Sequence, residues 1–121
     1  MRKGFILRVL CAGGLLVSTF FIQQVVAEDS PRRIEITAER FQYSPSEITV
    51  KKGEVIVLVL KSADVAHGLH INGLNIDMKV KAEATTEVQF RPKRTGDFSG
   101  HCTTFCGPGH GSMKFKVHVV D

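Results

Sequence analysis

The sequence contains no tryptophan, one tyrosine and only three cysteines. It has no amphipathic run of helical period, which argues against a helical bundle. It also has no internal repeat and no low-complexity tract, which argues against a solenoid and a long disordered segment. No apolar run reaches the ~20 residues of a membrane-spanning helix, so we predict no stable membrane span. The 121 residues are enough for one small domain.

The first 27 residues have the layout of a secretory signal peptide. A basic start is followed by an apolar stretch over residues 9–22, and residues 25–27 have the short side chains that a signal peptidase reads. We predict cleavage before Glu28 and a single exported domain over residues 28–121, in the periplasm or secreted. The alternative is that the segment stays attached as an uncleaved anchor.

The basic charge of the chain belongs mainly to this first segment. The full sequence has a formal net charge of +4. Removing Arg2, Lys3 and Arg8 leaves 13 basic residues against 12 acidic ones, a net charge of +1. A nearly neutral domain has no electrostatic attraction to a polyanion, so we predict no nucleic-acid partner. Cleavage also removes Cys11, and the exported domain then keeps two cysteines.

The exported part is rich in short segments with the alternation of β-strands. A continuous β-branched run over residues 55–60 predicts a central strand buried on both sides. Turn signals separate the segments, and residues 72–84 are ambiguous between loop and strand. This pattern predicts an all-β, antiparallel β-sandwich. The predicted strands are residues 33–38, 41–43, 47–50, 55–60, 86–90 and 114–120, with a further strand candidate that ends near His101.

Four potential metal ligands lie within one glycine-rich loop: Cys102, Cys106, His110 and Met113. Two thiols and an imidazole suit copper or zinc, and the thioether favours copper. Loops of a sandwich gather at the ends of the sheets, so a second loop over residues 64–70, with the two imidazoles of His67 and His70, is placed to complete the site.

Three other interpretations use the same residues. Two cysteines in an exported protein are typical of a disulfide, here Cys102–Cys106, which leaves the histidines and Met113 unexplained. Zinc would take Cys102, Cys106, His110 and His67 in a tetrahedron, again without Met113. A single copper ion held by both thiols, for delivery, storage or sensing, needs the same side chains.

The order of donors resembles a known copper centre. Asp64-Val-Ala-His67 followed by Cys-x3-Cys-x3-His-x2-Met is similar to the dinuclear copper A domain of cytochrome c oxidase subunit II and of nitrous oxide reductase. The resemblance implies a cupredoxin-like Greek-key sandwich that holds two copper ions. It implies bridging thiolates, two imidazole ligands, a weak thioether and a backbone carbonyl, from Cys102, Cys106, His67, His110, Met113 and Thr104.

The implied function is one-electron transfer in the periplasm rather than catalysis. The resemblance suggests a redox partner such as a c-type cytochrome or a terminal reductase or oxidase. The alternative is a copper-handling protein with a single copper ion. We expect Asp64 to orient the His67 loop, and Leu69 and Phe105 to limit solvent at the site.

Strand alternation separates the other histidines from the predicted ligands. His70 lies three residues after His67 and therefore belongs to the opposite face of a strand. His101 points away from the site for the same reason, since it directly precedes Cys102. His118 falls on the polar face of the last strand, opposite the apolar face that carries Val117.

Overall fold

A computed structural model describes residues 13–14 and 30–121 of the chain. The predicted signal segment over residues 1–27 lies almost entirely outside the described residues. Residues 30–121 form nine β-strands and one turn of 3-10 helix, His110–Ser112. The strands are β1 Arg32–Glu39, β2 Gln42–Ser44, β3 Glu47–Lys51, β4 Ile56–Ser62, β5 His67–Ile71, β6 Ile76–Val80, β7 Thr85–Phe90, β8 Gly96–His101 and β9 Lys114–Val120.

The strands form two sheets that pack face to face as a sandwich. One sheet has four strands in the order β2-β1-β4-β7, and the other has five in the order β3-β9-β8-β5-β6. The predicted all-β sandwich is therefore confirmed. The ambiguous segment over residues 72–84 contains β6, an edge strand of the five-stranded sheet.

Both sheets are mixed rather than purely antiparallel. β1 pairs in parallel with β4, and β3 pairs in parallel with β9, while the other five pairings are antiparallel. Successive strands β2, β3 and β4 alternate between the sheets. A chain that crosses to the other sheet and then returns need not reverse its direction. Two strands of one sheet can therefore be parallel neighbours without a connecting helix.

The core follows from the alternation of the sequence. β4 lies between β1 and β7, and its residues 56–60 are all buried, as the continuous apolar run predicts. In β9, Phe115, Val117 and Val119 are buried, whereas Lys114 faces solvent. The apolar inner faces of the two sheets meet between the layers. Fully buried side chains there include Ile36, Leu58, Leu60, Leu69, Ile71 and Val117.

The donor loops meet because of where the strands begin and end. The β4–β5 connection delivers His67 at the first residue of β5. The β8–β9 connection, residues 102–113, leaves β8 after His101, which pairs with Lys114 at the start of β9. β5 is hydrogen-bonded to β8, so both connections lie at the same end of the five-stranded sheet. Across residues 30–121, the only helix is the short 3-10 turn, far too short to span a bilayer.

Candidate metal centre

Three of the predicted ligands form a tight, buried cluster at this end of the sandwich. The ring nitrogen of His67 and the Sγ atoms of Cys102 and Cys106 all lie within 4.8 Å of one another. All three side chains are at most 4% exposed. In the part of the chain that the structure describes, this is the only group of three or more such side chains whose ligand atoms all lie within 4.8 Å of one another.

The remaining predicted ligands surround the same two sulfur atoms. The Sγ of Cys106 lies 3.9 Å from the Nδ1 of His110 and 3.4 Å from the Sδ of Met113, which is fully buried. The Sγ of Cys102 lies 3.1 Å from the backbone carbonyl oxygen of Thr104. The fold therefore brings together all six residues that the resemblance to copper A domains implies.

His67 is oriented by Asp64, and one of its nitrogen atoms has no partner. The Nε2 atom lies 2.6 Å from the Oδ1 of Asp64. The Nδ1 atom is buried without a hydrogen bond, the only such side-chain atom among the described residues. Buried polar atoms are normally satisfied, so the unpaired Nδ1 of this buried cluster histidine is available to bind a metal ion. A carboxylate on the other ring nitrogen is the usual way to orient a metal-binding histidine.

Asp64 is itself held in the ionised state. Burial alone would raise the pKa of its carboxyl group, but hydrogen bonds from the backbone N–H of Arg40 and from the His67 ring together lower the pKa to about 2. The Arg40 and Val65 backbone N–H groups donate to it at 2.8 Å and 2.6 Å. The carboxylate is therefore charged at neutral pH and fixed by three donors.

The two cysteines are free thiols in an apolar setting rather than a disulfide. Burial, and then the proximity of Cys102, raise the pKa of the Cys106 thiol. The Cys106 thiol donates to the Sδ of Met113, and the Cys102 thiol donates to the Thr104 carbonyl. A thiol with a raised pKa keeps its proton until a cation compensates the thiolate charge, so metal binding at this cluster must release protons.

The β1–β2 turn supports both donor loops, a role that the sequence patterns did not indicate. The backbone N–H of Arg40 donates to Asp64, and its Nε donates to the carbonyl of Cys106 at 3.0 Å. Arg40 therefore joins the His67 loop to the cysteine loop. The residue next to it, Phe41, packs against the glycines of the cysteine loop. No local signal marks these contacts, because Arg40 lies 24 residues from Asp64 and 66 residues from Cys106 in the sequence.

Two glycines permit this close packing. A Cβ atom on Gly109 would lie 2.4 Å from the Phe41 ring, and one on Gly68 would lie 2.4 Å from the Oγ1 of Thr103. Such distances are shorter than atoms tolerate, so both positions need glycine for the close approach. The backbone N–H of Gly68 also donates to the Cys102 Sγ at 3.4 Å.

Tyr43 is the second support that sequence reasoning missed. Its hydroxyl donates to the carbonyl of Gly68, the residue after His67. Its ring packs edge-to-face on Phe115 at 5.8 Å. Burial, and then the nearby Cys102, raise the pKa of Tyr43 far above its usual range, so the hydroxyl stays a donor. The fact that Tyr43 is the only tyrosine of the chain was the one available signal.

The prediction that Leu69 and Phe105 limit solvent at the site agrees with the structure for only one of these residues. Leu69 is fully buried, as predicted, but Phe105 is 78% exposed, so the prediction for Phe105 was wrong. Both cysteines that flank this part of the loop turn inward, which leaves Phe105 at the outer tip. Its ring lies 5.8 Å from the ring of His110.

The other histidines lie outside the cluster, on the outer face of the five-stranded sheet. His70 and His101 occupy outward positions of β5 and β8, as the alternation predicts. His118 is on the polar face of β9, where its Nδ1 lies 2.6 Å from Asp97 and its Nε2 lies 3.2 Å from Glu47.

The donor set fits copper better than zinc. Two thiols, two imidazoles and a thioether are soft or borderline ligands, and the thioether is a ligand that copper accepts and structural zinc sites lack. The Nδ1 of His67, a member of this set, has no hydrogen-bond partner in the described residues. In the described residues, carboxylate groups contribute to the cluster only through Asp64, which is already bound to the His67 ring.

Comparisons with known proteins agree with the geometry. A sequence model of the cupredoxin-like domain family matches residues 12–113. Cytochrome c oxidase subunit 2 of Thermus thermophilus is 35% identical over 99 residues, which are 80% of this chain and 73% of that protein. Nitrous-oxide reductase of Cupriavidus necator is 31% identical over 90 residues, which are 71% of this chain but 14% of that protein.

A solved structure shows the same architecture. The periplasmic domain of cytochrome oxidase subunit II from Bradyrhizobium japonicum superposes with a TM-score of 0.68 over 74% of this chain and 84% of that chain, at 20% identity. At this level of identity the likeness concerns the fold alone. The resemblance inferred from the sequence, to oxidase subunit II and nitrous oxide reductase, is thus confirmed by proteins of both kinds.

Proposed function

The chain belongs to the cupredoxin-like domain family, and from this premise we propose that it is an exported copper protein that carries single electrons through a dinuclear centre. The observation that carries the proposal is the convergence of six donor residues on two buried sulfur atoms, with the Nδ1 of His67 left unpaired. Cys102 and Cys106 would provide two thiolates to the copper centre, and His67 and His110 two imidazoles. Met113 and the Thr104 carbonyl would complete the set.

When bound, a copper pair would supply reversible one-electron transfer at a soft, thiolate-rich site. The protein contributes rigidity to that chemistry. Asp64 holds the His67 ring, Arg40 joins the two donor loops, and Tyr43 anchors the backbone behind His67. Donors held by packing and hydrogen bonds keep their positions in both oxidation states, so little reorganisation accompanies electron transfer.

Electron transfer is favoured over catalysis by the composition of the cluster. The donor side chains are buried or half-buried, and each has a role in binding metal or in orienting a ligand. A general acid or base must reach a substrate proton, and Asp64 is occupied by three donors. We therefore assign the chain no catalytic residues.

Copper stoichiometry together with the paramagnetic spectrum tests the proposal. The purified, reduced protein is loaded with copper, freed of excess metal, and measured for copper per chain and by electron paramagnetic resonance. We expect two copper ions per chain, a purple colour, and one unpaired electron shared over two equivalent nuclei. A blue product with one copper ion would overturn the dinuclear assignment.

A single-copper handling protein is the second candidate. It is favoured by one observation, the fact that His67, Cys102 and Cys106 alone already lie within 4.8 Å of one another. Three soft donors in such a cluster suit one Cu(I) ion. This function predicts one copper ion that a chelator removes readily and that does not cycle between oxidation states. Tightly held copper with rapid one-electron cycling favours electron transfer.

The partner we propose is a redox protein such as a c-type cytochrome, with contact at the exposed tip of the cysteine loop. Phe105 is 78% exposed and lies beside His110, which provides an apolar edge close to a ligand. Exposed aromatic residues are frequent contact points between proteins. We expect Phe105→Ala to slow electron exchange with a c-type cytochrome without a change in the copper spectrum. Val120→Ala, an exposed apolar residue at the far end of β9, is the matched control.

Export is also part of the proposal. β1 begins at Arg32, so a mature chain that starts at Glu28 would retain every strand of the described residues 30–121. The exported protein, recovered from the periplasm or the medium, should have the mass of residues 28–121. A mass that includes residues 1–27 would instead indicate an uncleaved anchor.

A further inference from the structure

The outer face of the five-stranded sheet carries a second group of metal-binding side chains. His101 of β8 is the direct cross-strand partner of His70 of β5, and His70 is the direct partner of Asp77 of β6. The three residues therefore form one row across three neighbouring strands. We propose that His70, His101 and Asp77 bind one divalent transition-metal ion of the zinc and copper(II) class.

The two separations that the structure gives for neighbours in this row are somewhat longer than those of a formed chelate. The His70 Nδ1 lies 4.0 Å from the Asp77 Oδ1, and the His70 and His101 ring centroids are 5.5 Å apart with an interplanar angle of 62°. Two ligand atoms on one tetrahedral zinc ion lie about 3.4 Å apart. The distance between the His70 Nδ1 and the Asp77 Oδ1 is slightly too long for a hydrogen bond. It is also slightly longer than the separation of two ligand atoms on one zinc ion. A small rotation of half-exposed side chains would close the gap around an ion.

The binding capacity of these histidines is not used elsewhere in the described part of the chain. Neither His70 nor His101 takes part in a side-chain hydrogen bond among residues 30–121, which sets them apart from His118. Both ring nitrogens of His118 are engaged by carboxylates, from Asp97 and Glu47. A histidine held between two acids is satisfied as an ion pair, whereas two adjacent imidazoles without partners are available as ligands.

The donor type decides which ions the row selects. Two imidazoles and one carboxylate suit Zn²⁺ and Cu²⁺, whereas the thiols and thioether of the inner cluster select Cu⁺. Lys114 pairs with His101 on the other side of the row, and its positive charge opposes a bound cation. Asp77 offsets that charge, with a side chain that is 62% exposed to solvent. The outer row is therefore directly exposed to ions in solution, whereas the sulfur atoms of the inner cluster are buried.

Zinc titration followed by histidine-resolved NMR tests the proposal, with Zn²⁺ alone as the probe. Because each imidazole is observed separately, zinc at His67 and His110 is distinguished from zinc at the outer row, and the result does not depend on the copper function. We expect His70 and His101 to shift together and saturate at one additional zinc ion per chain. The signals of His118 should not move with them.

Variants make the assignment specific. Loss of a residue that only orients a metal ligand typically lowers metal affinity by about 10–100-fold. His70→Ala and His101→Ala, which remove proposed ligands, should therefore each weaken zinc binding at the outer row by at least about tenfold. His118→Ala, on the same face, should leave it unchanged, and Lys114→Gln should tighten it. Shifts that do not saturate, or equal weakening by His118→Ala, would overturn the proposal. So would an effect of His70→Ala without one of His101→Ala, since that outcome indicates a single imidazole rather than a chelate.

Discussion

The inner end of the sandwich and its outer face use the same residue types in opposite ways. His67 and His70 lie on one strand, three residues apart, yet the first is fully buried among sulfur atoms and the second faces solvent. Cys102 and His101 are adjacent in sequence and likewise point to opposite sides. The difference shows that strand alternation places neighbouring ligand side chains on opposite faces, with His67 and Cys102 inside and His70 and His101 outside.

The largest expected effect comes from removing an inner sulfur atom. Cys106→Ser should abolish the two-copper centre, since the Cys106 Sγ lies 3.9 Å from the Nδ1 of His110 and 3.4 Å from the Sδ of Met113. Cys102→Ser should do the same. Copper per chain and the paramagnetic spectrum provide the measurement. His70→Ala is the outer control and should leave the spectrum intact; if it destroyed copper binding while His67→Ala did not, the choice of ligand would be wrong.

The carboxylates that hold inner and outer histidines provide a second contrast. Asp64→Asn removes the charged partner of the His67 Nε2 and should lower copper affinity by about 10–100-fold. Asp97→Asn removes the corresponding partner of the outward-facing His118 and should leave copper affinity unchanged. Competition with a copper chelator measures both. Equal affinities for Asp64→Asn and the parent protein would show that the inner histidine needs no carboxylate to orient it.

Two glycines of the cysteine loop allow a comparison of stability between a tightly packed position, Gly109, and an open position, Gly111. Gly109→Ala places a methyl group 2.4 Å from Phe41 and should destabilise the fold by about 1–3 kcal/mol through overpacking. Gly111→Ala meets no atom within 4 Å and should change stability by less than about 0.5 kcal/mol. Urea unfolding of the reduced, metal-free protein gives both values. A similar loss in both variants would indicate a general effect on the loop rather than contact with Phe41.

The smallest expected effect is a pH dependence of the folding stability that arises from His118 on the outer face. Hydrogen bonds to Asp97 and then Glu47 raise the pKa of His118 above its ordinary value of 6.5. A raised pKa in the folded state means that the ion pairs stabilise the protein fully below about pH 6.5 and are lost as the pH rises through the folded-state pKa. Stability should therefore fall over that interval in the parent protein.

The matched variant for this prediction is His118→Gln, which cannot become charged. Its urea unfolding midpoint should lack the part of the pH dependence above pH 6.5 that the parent protein shows. Because His118 and its acids are exposed, the difference should be modest. A parent protein and variant with parallel profiles would show that these ion pairs make no net contribution.

The donor identities and the β-sandwich could be predicted because their signals are local. The Cys102–Met113 spacing lies within one loop, and the period-two pattern of β9 needs only neighbouring residues. The contribution of Arg40 could not be predicted, because it contacts Asp64 and Cys106, which are 24 and 66 residues away in sequence. The parallel pairing of β1 with β4 escaped prediction for the same reason.

Phe105 and the outer histidine row illustrate the same limit. An apolar side chain between two cysteines favours burial, but the inward turn of both thiols leaves the Phe105 ring in solvent. His70 and His101 were each predicted to face outward, yet their pairing depends on the register between β5 and β8. Alternation assigns a side chain to a face and does not say which side chain of another strand lies opposite.

The sequence by itself therefore determined which atoms can bind metal and which face of each strand they occupy, because both depend on residue type and short-range geometry. Only the tertiary structure decided that His67 meets the cysteine loop with its Nδ1 unpaired, that Arg40 and Tyr43 hold the two loops in place, and that His70 lies between His101 and Asp77. These arrangements depend on strand register and loop packing between distant segments. Local patterns carry no information about either.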